Sequence, residues 1–413
     1  MKSPFPQDWK EYTIGDCLRR VEHPVEVDSD ALYTQIGIRS HGKGLFYKEP
    51  VTGELLGSKA VYWVEPDCFI LNIVFAWEQA IGKTTQAEVG MIGSHRFPMY
   101  KPVNNLIDID YLVYYLLTKR GTDILEAASP GGAGRNRTLG QDRFMKSRIV
   151  LPPLDEQKKI AKILSTQDKS IELQGRKIEE LKRFKKGCLE RMFPRKGQKV
   201  PEKRFPGFTD DWEQRKLGDM MNVTSVKRIH QSDWTDSGVR FLRARDIVAA
   251  AKNEEPDDYL YISKEKYEEY SALSGKVSVS DLLVTGVGTI GVPYLVRNLE
   301  PLYFKDGNII WFQNSDKIDG KFLFYSFSAE QIQGFINESA GIGTVGTYTI
   351  ESGKKTPISL PNQIEQAKVG EFFQQLDDLI TLHQRKLEEM KKQKKALMQL
   401  LLTGIVKTKG EVR

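Results

Sequence analysis

The chain has 413 residues, 40% of them hydrophobic, and a formal net charge of +6. That is room for two ordinary domains with real cores, and a mild basic excess that suits a polyanion without demanding one. Three scattered cysteines, Cys17, Cys68 and Cys188, argue against a disulfide framework or a metal knuckle. The longest apolar stretch, 69–77, is broken by Asn72 and falls well short of the roughly 20 residues a bilayer span needs. The N-terminus lacks the apolar run of a signal peptide, so a soluble, cytoplasmic protein is expected.

In chain order, Phe5-Pro6 and Asp8-Trp9 open a first half, 1–150, of mixed α/β character. Short β-rich runs fall at 32–38, 60–64 and 69–76, separated by turn residues, and a helix fits 110–119. A long helix follows over 151–199, with Asp155 placed to cap it and Glu156 in its first turn. The second half, 200–358, has β-rich runs at 239–244, 282–287 and 307–312 and a helix over 320–329. A second long helix and a tail occupy 359–413. Pro194 and Gly404 stop the two helices.

Both helices keep a heptad beat. In the first it runs Ile160, Leu164, Gln167, Ile171, Gln174, Ile178, Leu181, Lys185; in the second Val369, Phe373, Leu376, Ile380, His383, Leu387, Met390, Lys394. Polar Gln174/His383 and Lys185/Lys394 interrupt both seams at matching places, and such residues fix register at a cost in stability. The connection from Arg195 to Arg204 is too short for a parallel return. The expected fold class is therefore α+β: two pseudo-symmetric mixed α/β domains separated by an antiparallel coiled coil of two long helices.

The helix is in fact one segment present twice. Residues 151–193 align without a gap on 360–402, pairing Leu151-Pro152 with Leu360-Pro361, Glu156-Gln157 with Glu365-Gln366 and Asp168 with Asp377. Phe205-Pro206, Asp211-Trp212 and Leu217-Gly218-Asp219 repeat the opening of the first half. Asp110 and Asp319 share the offset of 209, each ahead of an aromatic stretch. A repeat at half the chain length means two copies of one unit, not a solenoid.

Between these anchors the halves diverge, and there the cations gather on glycine-flexed loops. The first half offers Arg39, His41 and Lys43, then His95 and Arg96, then Arg135, Asn136 and Arg137. The second offers Lys227, Arg228 and His230, then Arg243 and Arg245, then Thr344 and Tyr348. Such side chains supply bidentate donors to base edges and cations to phosphates. Any one of them is better explained as solvated surface; the clustering in both halves shifts the balance towards DNA for the set.

No chemistry of the chain's own emerges. Gly286-Val-Gly-Thr-Ile-Gly291 and Gly341-Ile-Gly-Thr-Val-Gly346 fit the dinucleotide pattern, but strand-like sequence follows each, leaving no helix N-terminus for a pyrophosphate. The five histidines lack metal spacing. A Walker lysine motif, a nucleophile elbow and the Asn/Asp-Pro-Pro-aromatic motif of amino-methyltransferases are all missing. Asp257, Asp258 and Glu265 lack the spacing of a nuclease site.

The duplicated Leu-Pro-…-Glu-Gln helix starts, the Phe-Pro-Gly-Phe-…-Asp-Trp-…-Leu-Gly-Asp opening at 205–219 and Asp281-Leu-Leu-Val resemble the specificity subunit of type I restriction-modification systems, over essentially the whole chain. The first half departs in lacking the Gly-Phe and in carrying Asp67-Cys68-Phe69-Ile70. The resemblance implies two target recognition domains, each reading half of a split, asymmetric target in double-stranded DNA, with the helices setting the spacer. It implies two methyltransferase subunits docked on the helices and motor-nuclease subunits attached through them. It places S-adenosylmethionine, ATP and Mg in those partners, leaving this chain non-catalytic, without cofactor or metal. The alternative is a non-enzymatic scaffold whose two domains bind proteins; only DNA binding requires a steep salt dependence.

Overall fold

The computed structural model describes residues 6–57, 59–131, 137–314, 316–340 and 346–408. By its contacts the chain divides into two compact units: residues 1–173 with 387–413, and residues 174–386. The cut passes through both long helices, Leu154–Met192 and Gln363–Leu402. Each unit therefore holds one mixed domain, the start of the helix that follows it and the end of the other helix. The 1–150/151–199/200–358/359–413 division follows chain order; packing joins pieces distant in sequence.

The first unit is built on a four-stranded antiparallel sheet, ordered Leu18–Val21, Met99–Pro102, Phe69–Leu71, Ile81–Lys83. The second repeats it with Asn222–Thr224, Ile309–Gln313, Leu282–Thr285, Pro293–Leu295. In each, an antiparallel ribbon feeds the long helix: Lys10–Thr13 with Arg148–Leu151, and Glu213–Lys216 with Pro357–Leu360. The duplicated frame is thus sheet, ribbon and helix. What lies inside it differs. The second unit carries another four-stranded sheet, whose Val239–Leu242 and Leu302–Phe304 run parallel. Among its described residues the first carries only two-stranded pairs there, including Ile36–Ile38 with Leu45–Tyr47.

The main core of each unit lies between sheet and helices. Phe69, Leu112, Phe144, Ile160 and Leu164 are fully buried in one, with Leu401 and Leu402 from the second helix beside them. Phe312, Phe322, Tyr325 and Phe373 fill the other, joined by Cys188, Met192 and Phe193 from the end of the first helix. Each fully buried apolar side chain contributes about 1.5–3 kcal/mol, so the helix starts are held chiefly by the domains they follow.

Within each unit the helices run antiparallel along the expected seam. In the first, Gln167 Nε2 donates to the Met390 carbonyl at 3.3 Å. In the second, Gln174 Nε2 lies 2.8 Å from His383 Nδ1 and donates to the His383 carbonyl at 2.9 Å. Ile178, Leu181, Val369 and Ile380 are buried, while Ile171, Leu387 and Met390 are half-buried. Lys185 and Lys394 leave the seam sideways to reach Asp377 (2.6 Å) and Asp168 (2.5 Å).

Several local expectations shift. Asp155 lies in the first turn, not at the cap, because the first helix begins at Leu154. In the second helix Asn362 Oδ1 accepts from the Glu365 N–H. The 32–38 run is two separate strands, and 69–76 ends as a 3-10 turn at Ala76–Glu78. The domain helix expected at 110–119 is Ile109–Leu116, capped by Asp108, whose Oδ1 accepts from Tyr111 N–H. Asp319 caps Gly320–Ser326 in the same way. The structural partner of Asp319 is therefore Asp108, not Asp110, and Asp110 instead pairs with Lys83.

Candidate nucleic-acid interface

A repeated latch fixes each domain on its helix. Gln157 Oε1 accepts from the Asp108 N–H at 2.9 Å, and its Nε2 donates to the carbonyls of Leu106 and Pro152. Gln366 does likewise: Oε1 accepts from the Asp319 N–H at 3.0 Å, and Nε2 donates to Pro361 at 2.8 Å. About three turns further along each long helix, Tyr114 donates to Asp168 and Tyr325 to Asp377, both at 2.7 Å. The lysine on each aspartate comes from the opposite long helix and lies over the same tyrosine ring, at 5.4 Å for Lys394 and 5.3 Å for Lys185. Composition and loop chemistry do not single out Tyr114, Tyr325, Asp168, Asp377, Gln157 or Gln366 as site residues. The gapless repeat of Gln157/Gln366 and Asp168/Asp377 was the signal that pointed to them.

On these frames the first unit brings its cationic loops together. His41 and Gly42 donate backbone N–H groups to the carbonyls of Glu78 and Gln79 (2.8 and 2.9 Å), drawing loop 39–44 onto the turn that bears Trp77. His41 (φ 60°) and Gly42 (φ 62°) are left-handed, and a Cβ on Gly42 would meet Leu117 at 2.5 Å; glycine is what lets the loop close there. The Arg137 guanidinium lies 5.4 Å over the Trp77 ring. Ile73 joins the remaining pieces: its N–H donates to the Arg96 carbonyl and its carbonyl accepts from Leu139 N–H. Arg39 stacks on Phe46 and donates to the Leu45 carbonyl at 2.6 Å. Lys43, His95 and Arg96 are exposed. Arg135 and Asn136 lie outside the described residues.

The second unit's cations are tied to carboxylates. Arg228 pairs with Asp306 at 2.8 Å, and the Lys227 carbonyl accepts from the Tyr303 hydroxyl. His230 is exposed beside the turn Gln231–Asp233. Arg245, still 60% exposed, pairs with Asp258. Arg243 is different. Its side chain is 15% exposed and bonds Asp246 at 2.8 Å and Asp258 at 2.9 Å, and its backbone N–H donates to Asp246 Oδ2 at the start of the helix Ala244–Ala251. The two arginines hold the Asp258 carboxyl below its usual range, Arg243 foremost. Asp258 is thus a structural partner for these arginines.

Two sequence expectations need correction. Tyr348 is 2% exposed and its hydroxyl bonds the Thr356 hydroxyl, so the ring has no surface to give a nucleic acid. Arg243 has its guanidinium consumed internally, and an intact loop leaves little of it to a base edge. Thr344 lies outside the described residues. The Gly286 turn serves close backbone approach: Tyr348 N–H donates to the Gly286 carbonyl at 2.8 Å, and a Cβ on Gly286 would meet the Tyr348 carbonyl oxygen at 2.6 Å. Among the described residues no group of His, Cys, Asp or Glu is placed to hold a metal, and no helix is long and apolar enough to cross a membrane.

Two domains of one design, latched alike to two long helices and differing in their loops, define a duplicated recognition scaffold. The chain belongs to the family described as the type I restriction modification DNA specificity domain, which matches it twice, at residues 41–183 and 209–392. It is similar to the type I restriction enzyme MjaVIII specificity subunit of Methanocaldococcus jannaschii, with 27% identity over 98% of this chain and 94% of that one. It is also similar to a putative specificity subunit, MjaX, of the same organism, with 27% identity over 75% of this chain and 71% of that one. Its fold is shared with the HsdS subunit from Thermoanaerobacter tengcongensis (14% identity, TM-score 0.51, 97% of this chain and 98% of that one). The type I restriction-modification S subunit from M. genitalium shares it too (13%, TM-score 0.57, 97% and 99%).

Proposed function

We propose that this chain is the DNA-reading, non-catalytic subunit of a type I restriction-modification complex, acting in the cytoplasm. Each domain reads one half of a bipartite, asymmetric target in double-stranded DNA. Two methyltransferase subunits, and motor-nuclease subunits attached through them, carry out methylation and cleavage with S-adenosylmethionine, ATP and Mg. The observation that carries the reading is the contrast between frame and contents. Sheet, ribbon, glutamine latch and helix are the same in both units, while the loop cations sit on different scaffolds. A protein that needed two equal sites would have kept the loops alike.

The described candidates for contact are Arg39, His41, Lys43, His95, Arg96 and Arg137 in the first unit. In the second they are Lys227, Arg228, His230 and Arg245. Arginine on base edges would specify sequence, and lysine on phosphates would position the duplex. The test is co-expression with the cognate methyltransferase subunit followed by methylome sequencing. A single split, asymmetric motif is expected, and duplex binding by the complex should fall steeply with salt. Methylation or cleavage of plasmid by the pure chain alone would overturn the assignment.

A further inference from the structure

The part of the second unit without a counterpart among the described residues of the first is the sheet ordered Trp234–Thr235, Leu260–Ile262, Val239–Leu242, Leu302–Phe304. If the two units read different half-sites, the difference belongs there. One face of this sheet packs inward, where Val239, Phe241, Ile262 and Tyr303 are buried in a common core. Successive strand residues point to opposite faces, so Arg240 and Tyr261 lie on the other side. They pair directly across neighbouring strands, and Thr235 pairs with Tyr261 on its far edge. Tyr259, just ahead of the same strand, joins the row diagonally to Arg240. Tyr259 and Thr235 are exposed, while Arg240 and Tyr261 are half-buried.

Arg240 is held on that face by a ring and not by an acid. Its guanidinium lies 4.0 Å from the centroid of the Tyr259 ring, and its Nη1 is buried without a hydrogen-bond partner. Among the described residues no carboxylate pairs with it, whereas Arg228, Arg243 and Arg245 each have one. Stacking fixes the plane of a guanidinium yet offers no acceptor to its donors. A partly desolvated cation in that position gains when an acceptor arrives. The ring is itself anchored, since the Tyr259 hydroxyl donates to Glu255. Asp258 and Tyr259, successive in the chain, thus hold Arg245 and Arg240.

Resting on the functional reading above, we propose that Arg240 is a specificity-determining residue of the second half-site, its guanidinium forking onto a guanine edge, with Tyr259 as its positioning residue. Guanine fits because its O6 and N7 present two acceptors side by side in the major groove. A planar fork whose orientation is already fixed loses little freedom on docking, which suits base reading better than attraction to a phosphate. The second half-site therefore contains a G·C pair read from this sheet, and the loop cations are not its only readers.

The experiment is methylome sequencing of cells carrying each variant with the cognate methyltransferase, joined to duplex titration of the purified complex. Arg240→Ala should relax one G·C position of the second half-site, leave the first half-site unchanged and weaken target binding about ten- to a hundred-fold. Arg240→Lys keeps the charge and the stem, which guards the fold; it should relax the same position, because an ammonium cannot fork. Tyr259→Phe keeps the ring and should keep the motif, whereas Tyr259→Leu should relax the position that Arg240 reads. Intact reading of the first half-site in each variant shows that the chain is folded and assembled. An unchanged motif with Arg240→Ala would overturn the proposal. So would full specificity with Arg240→Lys, which marks a phosphate contact, or a Tyr259→Leu variant indistinguishable from wild type. A wild-type complex that methylates no bipartite motif overturns the functional reading itself, and the wild-type control reveals it before any variant is compared.

Discussion

Tyr114 donates its hydroxyl hydrogen to Asp168 over 2.7 Å, which ties a domain helix to the start of a long helix. Lys394 reaches the other oxygen of the same carboxylate at 2.5 Å from the opposite long helix. Three chain segments thus meet on one carboxyl group, and Tyr325, Asp377 and Lys185 repeat the arrangement. The bond keeps its phenol protonated: burial first, then Asp168, push the Tyr114 pKa up, and burial with Asp377 does the same for Tyr325.

The consequence for stability has a definite sign. A tyrosine whose pKa is raised by folding contributes stability that is fully present below about pH 10, its unfolded value, and is lost as pH climbs above it. Tyr114→Phe should cost about 1 kcal/mol at neutral pH, since Asp168 is partly solvated, and the gap to wild type should close above about pH 10. Urea denaturation across that range, followed in the first unit, measures it. A gap constant with pH would mean the hydroxyl bond is not what holds the two helices.

Glu156 and Glu365 are equivalent in the repeat yet sit in opposite surroundings. Glu365 is fully buried and held by Arg204 through two bonds of 2.6 Å. Glu156 is half-buried, and burial, then the nearby Asp8, raises its pKa against the pull of Lys407, the Thr408 backbone and the Trp9 side chain. An acid raised by folding is a liability when ionised, so it costs stability at neutral pH and less as pH falls through its folded value. Glu156→Gln should therefore stabilise the first unit at pH 7, with the gain shrinking in acid. Glu365→Gln leaves Arg204 unpaired and should cost the second unit about 3–5 kcal/mol. Thermal melts of the two variants, at neutral and acid pH, should move in opposite directions.

In the second unit the Gln174–His383 pair joins two seam positions that are each other's counterparts in the repeat. Removing one partner, as in Gln174→Leu, strands a half-buried imidazole and should cost about 1–3 kcal/mol. Removing both, with His383→Leu as well, should be near neutral or stabilising, because an all-apolar seam packs without polar obligations. A double-mutant cycle in urea checks this; a double-variant loss equal to the sum of the two single losses would show that the pair does not interact.

The helices, the seam and the duplication were legible because they rest on period and repetition, which survive in sequence. The caps Asp108 and Asp319 lie 319 − 108 = 211 apart, because the offset of 209 holds from the short helices Gln141–Lys146 and Ile350–Lys355 through the ribbon strands into the long helices, and the loops before them differ in length. The loops were legible only as composition. Arg243 reads like a DNA-contacting arginine until Asp246 and Asp258 are seen around it, and the sequence separation of Asp258 hides that pairing. Tyr348, in a glycine-rich setting that looked like surface, is drawn inward by the Gly286 turn and Thr356.

The division of labour between the units is the sharpest functional expectation. Arg137 lies over Trp77 in the first unit, and Arg245 stands exposed on Asp258 in the second. Arg137→Ala should relax or weaken one half-site, and Arg245→Ala only the other. Loss of a bidentate base contact should cost about 1–3 kcal/mol and relax one base, whereas loss of a phosphate contact should weaken all sequences and reduce the salt slope by about one. Asp258→Asn frees Arg245 from its carboxylate and should strengthen binding at the second half-site, while Arg243→Ala should act chiefly by leaving the Asp246 and Asp258 carboxylates without their shared guanidinium. Methylome sequencing of cells carrying each variant with the cognate methyltransferase separates these outcomes. If Arg137→Ala and Arg245→Ala altered the same half-site, one domain per half-site would be the wrong division for this chain.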